Sequence, residues 1–267
     1  MKNFFSSFFA TLLALLVFVG GACLIGIVLL AAMAATGQKP ATVEKGSYLV
    51  LNMSVNLQES PEQNEDLADF MEAFGDSAGP RPLQLRAAVR ALEAAADDDA
   101  IAGLFLTGNF RSMNYGSGYA ALRELRAAIE NFKKSGKPVK AYLGSATTRN
   151  YYIATAADEL ILDRYGAVMM PGLASQPLFL AGAFEKFGIG VQVTRVGKYK
   201  SAIEPFVRKD MSPESRAQTQ KLLDDVWAEL LTTMEQARQL EPGAMQKTID
   251  EHGLLRGEKA LAAKLVD

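Results

Sequence analysis

The sequence has little of what most nucleophilic and metal-dependent sites are built from. Its 267 residues include one cysteine, Cys23, and one histidine, His252. A lone cysteine excludes a disulfide within the chain, and Cys23 lies in an apolar run that disfavours a reactive thiolate. Gly253 follows His252, which predicts that this histidine ends a helix, where a cation suits the helix dipole. A Ser-His-Asp triad and a His/Cys metal site are therefore excluded, and a general base must be a lysine or a carboxylate.

The chain also lacks an excess of charge of either sign. Its 28 Lys and Arg residues oppose 30 Asp and Glu residues, and the basic ones are scattered, which argues against a nucleic-acid partner. The acidic run 97–99 has nothing beside it to complete a cation shell, so we predict a solvated loop there. No stretch signals nucleotide binding. We expect neither a metal nor a cofactor.

Charged residues are missing altogether between Asn3 and Gln38, and the segment Ala10–Ala35 is almost wholly apolar. As a helix this segment would be about 39 Å long at about 1.5 Å per residue, more than the ~30 Å hydrocarbon layer. We predict an uncleaved transmembrane anchor. The alternative is a cleaved secretory signal ending at the small-x-small site 32–34, but such signals have apolar regions of only about 7–15 residues.

The flanking charges predict how the anchor is oriented. Lys2 and the amino terminus favour a cytoplasmic N-terminus, although Lys39 and Lys45 on the far side reduce the bias. This orientation places the rest of the chain on the outer, periplasmic side of a bacterial inner membrane, which the chain crosses once. We divide the chain into residues 1–45, comprising a cytoplasmic tip, the anchor and a linker, and residues 46–267, one α/β domain.

Within 46–267, short apolar runs alternate with segments of helical periodicity, a pattern typical of βαβ-type units and an α/β fold. The acidic segment 58–79 is predicted to be an exposed insertion. The predicted strands are 47–53, 101–106, 139–143, 161–162, 168–170 and 191–196. The predicted helices are 82–92, 120–132, 151–157, 179–187 and 213–231.

Lys200 is the candidate catalytic residue. Val191, Val193 and Val196 predict a strand, and Gly197 ends it, so the lysine follows in a short irregular segment. A lysine acts as a general base only where desolvation or a neighbouring cation favours its neutral form. The alternative is that Lys200 and its neighbour are solvated loop charges.

The helix after this segment has a well-defined predicted start. Ser212 is an expected N-cap, Pro213 suits the first turn, and Glu214 places an acid near the positive helix end. A loop between a strand and such a helix is held in one geometry, as a catalytic group requires.

Residues 196–206 followed by 210–213 resemble the amino-terminal half of the long bacterial form of the signal peptide peptidase A family, membrane-anchored serine proteases with a Ser/Lys dyad. The similarity extends to 135–139, 151–158 and 264–267. It implies a crotonase/Clp-protease-like α/β fold of repeated ββα units. It also implies that Lys200 is the lysine of the dyad.

The chain departs from the family pattern at two places. Thr148 stands where family members with a complete site have the nucleophilic serine, and Arg149 and Asn150 replace the small residues that follow it. The turn 108–113 lacks the paired glycines whose amides bind an oxyanion. We therefore predict a degenerate half-site here, with attack by Thr148 as the alternative. The serine would lie on another domain or chain, and this chain would be a fragment or a one-domain product.

The leading hypothesis is thus a membrane-anchored serine endopeptidase acting on peptides such as remnant signal peptides. Lys200 is its general base, and the chain pairs with a serine-bearing second half or with copies of itself. An apolar groove beside Lys200 is expected from Val168, Met169, Met170 and Leu173. The alternative is a non-catalytic crotonase-like membrane scaffold that oligomerises and binds peptides. A crotonase acting on coenzyme A thioesters is a third, more distant possibility.

Overall fold

The structure is a computed structural model that describes residues 2–35, 43–55, 57–59, 83–109 and 118–267. Two compact units are present, residues 1–44 and residues 45–267. The predicted acidic insertion, apart from its first two residues, lies outside the described residues, as does the rest of the turn after Asn109 up to position 113.

The helices of the described part are α1 Lys2–Ala35, α2 Leu85–Asp97, α3 Tyr119–Lys133, α4 Thr148–Ala154, α5 Ala181–Lys186, α6 Glu204–Val207, α7 Pro213–Ala237, α8 Ala244–His252 and α9 Gly257–Ala262. Its strands are β1 Ser47–Asn52, β2 Leu57–Gln58, β3 Leu83–Gln84, β4 Ile101–Thr107, β5 Val139–Leu143, β6 Ala146–Thr147, β7 Glu159–Leu162, β8 Ala167–Met169 and β9 Leu254–Arg256.

The first unit consists mainly of α1. Within it, Phe8–Val28 is long and apolar enough to cross a membrane, and its side chains are exposed in the isolated chain. Among the described residues it is the one helix that meets this criterion. An apolar helix without buried contacts is consistent with association with a membrane.

The second unit is built on a four-stranded parallel sheet with the order β1-β4-β5-β7. Parallel sheets of this kind are covered on their faces by helices, and the central strands are accordingly apolar and buried. Leu104 and Leu106 of β4 and Ala141 of β5 are fully enclosed.

Helix α3 shows how the sequence pattern produces the core. Leu122, Leu125, Ile129 and Phe132 recur at helical spacing and are all buried, so one face of the helix packs inward. The helix ends where the sequence predicts. Gly136, with φ of 80°, has the left-handed conformation that reverses the chain into β5.

A second sheet connects the C-terminal part of the chain to the strands that follow β5 and β7. Its order is β6-β8-β9, with β8 parallel to β6 and antiparallel to β9. A buried hydrogen bond adds a further link, because the Tyr151 hydroxyl donates to the Leu265 carbonyl at 2.7 Å. Helix α4, which carries Thr148, is thereby fixed from two sides.

Most of the predicted elements are confirmed. The α/β class with an N-terminal apolar helix is correct, and the order β-β-α recurs in β5-β6-α4 and in β7-β8-α5. Ser212 is the N-cap of α7, since its hydroxyl accepts the Ser215 amide at 3.1 Å. His252 ends α8, and Gly253 follows it as the cap.

The predicted strand at 191–196 is wrong. That stretch is not part of a sheet, and Val191, Val193 and Val196 are exposed. Alternation of apolar side chains suits a strand, but a strand also needs a neighbour to pair with its backbone. No described strand pairs with this stretch.

Candidate functional site

Lys200 follows a tight turn and precedes two short helical segments. Gly197 has φ of 97°, a conformation that favours glycine, and its carbonyl accepts the Lys200 amide at 3.3 Å. The chain then forms a 3-10 turn at Ser201–Ile203 and continues into α6. The turn therefore presents Lys200 at the start of a helical segment.

The Lys200 side chain is exposed, contrary to the expectation of a partly desolvated lysine. Its ammonium makes no hydrogen bond or ion pair with any other residue in the described ranges. The reason is that residues 171–209, here named the lysine arm, are mostly exposed, with few buried neighbours around Lys200. The described part of the chain therefore leaves Lys200 exposed to solvent, whereas a lysine base requires desolvation or a neighbouring cation.

The lysine arm has its own internal packing. The rings of Phe184 in α5 and Phe206 in α6 stack with centroids 6.4 Å apart, and the Leu180 amide donates to the Pro205 carbonyl at 2.7 Å. An open cleft of about 290 Å³ lies beside this stack and is lined partly by Ile189 and Val191. The two helices thus hold the segment after Lys200 in a defined position.

Glu204 is the one buried acidic residue in the lysine arm, with 1% of its surface exposed. Its Oε2 accepts the Ser212 amide at 3.0 Å, and its Oε1 accepts the Ser212 hydroxyl at 2.5 Å. Burial by itself would raise the pKa of the Glu204 carboxyl. The hydrogen bonds from Ser212 and the charges of Arg208 and Arg195 outweigh burial and hold the pKa below its usual value.

Thr148 is the first residue of α4 and is enclosed, with 6% of its surface exposed. Asn150 is fully buried, and its Oδ1 accepts the Thr147 hydroxyl at 2.6 Å. The Arg149 guanidinium lies over the Tyr119 ring, 5.8 Å from its centroid. Thr148 is therefore buried, and the side chains of the two residues that follow it are held by neighbouring groups.

The turn after β4 also differs from an oxyanion site. Gly108 has φ of 82°, but the next amide, that of Asn109, donates to the Ser54 hydroxyl at 3.1 Å. An amide that is already bonded is not available to a developing oxyanion. Sequence reasoning missed this contact, because Ser54 lies 55 positions earlier in the chain.

The four residues expected to form an apolar groove beside Lys200 do not share one exposed surface. Val168 and Met170 are buried in the core, so neither can line an open surface. Met169 is exposed and Leu173 is half-buried. The period of two within β8 explains the difference, since alternate residues of a strand face opposite sides.

Sequence reasoning also missed Arg195. Its Nη1 lies 3.7 Å from Oε1 of Glu204 and 3.4 Å from the carbonyl oxygen of Lys200. No sequence motif marks this residue.

Gly166→Ala is expected to destabilise the packing of the turn between β7 and β8 against the residue that follows β5. A Cβ at position 166 would lie 2.1 Å from the Gly144 carbonyl oxygen, a backbone atom at the end of β5. The backbone must shift to relieve this clash, at a cost of about 1–3 kcal/mol in the free energy of unfolding. Urea denaturation of both proteins measures the loss.

Gly144→Ala is the matched control for this substitution. A Cβ at Gly144 meets nothing within 4 Å, and its φ is not in the left-handed region. We expect unchanged stability or a gain of up to about 1 kcal/mol, since alanine restricts the unfolded chain. Equal midpoints for the two variants would mean that the turn relaxes freely, contrary to the expectation.

Comparison with known proteins gives consistent results over most of the chain. The sequence model described as Peptidase family S49 matches residues 131–267, a range that includes Thr148 and Lys200. "Protease 4" of Haemophilus influenzae is 32% identical over 205 residues, which cover 77% of this chain and 33% of that protein. "Protease 4" of Salmonella typhi is 32% identical over 229 residues, covering 82% of this chain and 36% of that protein.

A plant protein is similar as well. "Serine protease SPPA, chloroplastic" of Arabidopsis thaliana is 35% identical over 172 residues, covering 64% of this chain and 25% of that protein. Among solved structures, an enoyl-CoA hydratase/carnithine racemase from Magnetospirillum magneticum matches 69% of this chain and 58% of that chain, with 13% identity and a TM-score of 0.37. The chain spans about a third of the length of the two bacterial relatives. The match to the family model over half of its residues establishes that this chain belongs to peptidase family S49.

Proposed function

We propose that this chain is the lysine-bearing part of a membrane-tethered serine peptidase. In this proposal Lys200 is the general base, and the nucleophilic serine comes from another domain or another chain. The observation that supports it best is a contrast between two positions. Lys200 is presented on an exposed apolar arm, whereas Thr148, at the place of the family's serine, is enclosed by its own chain.

The surface of the lysine arm supports a role in docking. Large apolar side chains lie exposed along the arm before Lys200 in sequence, and large exposed apolar surface is typical of protein interaction sites. A serine-bearing partner that covers them would also remove water from Lys200, which is exposed in the described part of the chain. The exposed apolar residues are Leu178, Phe187, Ile189, Val191, Val193, Val196 and Tyr199.

The proposed chemistry requires a neutral Lys200 amine. As the serine oxygen bonds to the peptide carbonyl carbon, the amine takes the hydroxyl proton. The resulting ammonium returns that proton to the leaving nitrogen as the C–N bond breaks, which leaves an acyl-enzyme. A water then attacks the ester while Lys200 accepts and returns a proton once more.

The proposed substrates are apolar peptides of the signal-peptide type. The apolar character of the exposed arm supports this choice. Helix α1 is proposed to anchor the protein once in a bacterial inner membrane, with the second unit on the periplasmic side. An anchored peptidase would then meet substrates that are released within the same bilayer.

The test is a peptide-hydrolysis assay on the detergent-solubilised full chain, alone and mixed with a serine-bearing polypeptide of the same family. We expect no turnover of an unstructured apolar peptide by the chain alone and measurable turnover by the mixture. Turnover by the chain alone that persists in Lys200→Ala would exclude the proposed division of roles. Peptide binding without turnover in every mixture would instead support the non-catalytic scaffold, which the enclosed Thr148 site favours.

A further inference from the structure

Arg195 links the buried Glu204 carboxylate to the backbone of Lys200. Its Nη1 lies 3.7 Å from Glu204 Oε1 and donates to the Lys200 carbonyl at 3.4 Å, which is long for a hydrogen bond. On its other side Glu204 is held by Ser212, whose hydroxyl also accepts the Ser215 amide in the first turn of α7. A connected set of contacts therefore runs from the start of a 25-residue helix to Lys200.

We infer that Glu204 and Arg195 are positioning residues for Lys200. The inference rests on the proposed function, in which Lys200 is the base. The Lys200 side chain has no hydrogen bond or ion pair of its own within the described part of the chain. The position from which it extends is therefore set by the contacts of the Lys200 backbone. Two contacts hold that backbone: the Lys200 carbonyl accepts from Arg195, and the Lys200 amide donates to the Gly197 carbonyl.

The burial of Glu204 supports a role in positioning Lys200 rather than only in holding the start of α7. A buried carboxylate costs free energy unless hydrogen bonds and opposite charges compensate it. Ser212 supplies two hydrogen bonds, and Arg195 supplies a charge that also reaches Lys200. Of the two arginine charges that stabilise the Glu204 carboxylate, Arg208 and Arg195, it is Arg195 that also contacts the Lys200 carbonyl.

Arg195 separates positioning from a merely structural role. Its side chain is 41% exposed, so removing it leaves no cavity, and the Ser212 hydrogen bonds and the Arg208 charge still compensate Glu204, so stability should change little. If Glu204 serves only to hold the start of α7, Arg195→Ala leaves catalysis unchanged. If the pair positions Lys200, the same substitution lowers kcat, because a displacement of about 1 Å costs about 100-fold.

The experiment uses the full chain assembled with its serine-bearing partner. We expect Arg195→Ala and Glu204→Gln each to lower kcat by about 10–100-fold while KM stays within about twofold, since the base is displaced and the peptide site is not. The double variant should be no slower than the more affected single variant, because the two residues act as a unit. Glu204→Asp, which keeps the charge, should recover part of the loss.

Lys198→Ala is the matched control. Lys198 is another exposed cation of the same arm, two positions before Lys200, and within the described part of the chain it makes no hydrogen bond or ion pair with Glu204. Its kcat should equal that of the wild type. Wild-type kcat in Arg195→Ala would overturn the inference, even if Glu204→Gln fails to fold. Wild-type kcat in Lys200→Ala would instead overturn the proposed function itself.

Discussion

Lys200→Ala in the assembled peptidase is expected to lower kcat by about 10²–10⁴-fold, the range over which a positioned general base contributes. The methyl group of the alanine cannot accept the serine proton, and no other described residue of the lysine arm occupies the position of the Lys200 amine. KM should change little, because the role proposed for the lysine is to take the reacting proton and not to bind the peptide. Steady-state hydrolysis of a fluorogenic apolar peptide measures both constants.

Two further variants make this result specific. Lys198→Ala removes another exposed lysine two positions earlier and should leave kcat close to that of the wild type. Lys200→Arg retains a cation but should be as slow as Lys200→Ala, because a guanidinium does not lose its proton near neutral pH. Wild-type activity in Lys200→Arg would show that the position contributes only charge, and the assignment of a general base would fail.

The fold was predictable where local pattern and tertiary packing agree. The spacing of Leu122, Leu125, Ile129 and Phe132 predicts an amphipathic helix, and the structure buries those same residues. The start of α7 was predictable from Ser212 and the two residues after it, because an N-cap depends only on nearby atoms. Local rules succeed here because their partners are close in sequence.

The predictions that were wrong or incomplete depend on contacts with residues that are distant in sequence. The alternating valines at 191–196 favour a strand, yet a strand forms only where another strand offers its backbone. The Asn109 amide is occupied by Ser54, and no local pattern indicates that contact. Val168 and Met170 look suited to a groove by composition, but the direction of β8 turns them into the core.

The position of Lys200 was partly predictable. Its place after a glycine turn and before a well-capped helix follows from the sequence, and the structure shows both. The solvent exposure of Lys200 could not be predicted from the sequence, because burial depends on what covers the lysine arm. The buried Glu204 and its contact with Arg195 were also invisible, since acidic residues are rarely buried and no motif marks the exception.

Phe132→Ala is expected to destabilise the chain by about 3–5 kcal/mol in the free energy of unfolding. Phe132 is 1% exposed on the inner face of α3, and its removal leaves a cavity in the main core. Phe187→Ala makes the same chemical change in the lysine arm, where the side chain is 73% exposed. The second variant should differ from the wild type by no more than about 0.5 kcal/mol. Urea denaturation of the full chain in detergent, followed by the fluorescence of Trp227, compares the two.

The same pair of variants separates folding from assembly. If the lysine arm docks on a serine-bearing partner, Phe187→Ala should weaken association by up to about tenfold, since a large apolar side chain then loses buried area worth roughly 1–2 kcal/mol. Association of Phe132→Ala, measured below its unfolding transition, should be unaffected. A Phe187→Ala chain that is as destabilised as Phe132→Ala would show that the arm folds onto its own core, leaving no apolar surface for a partner to cover.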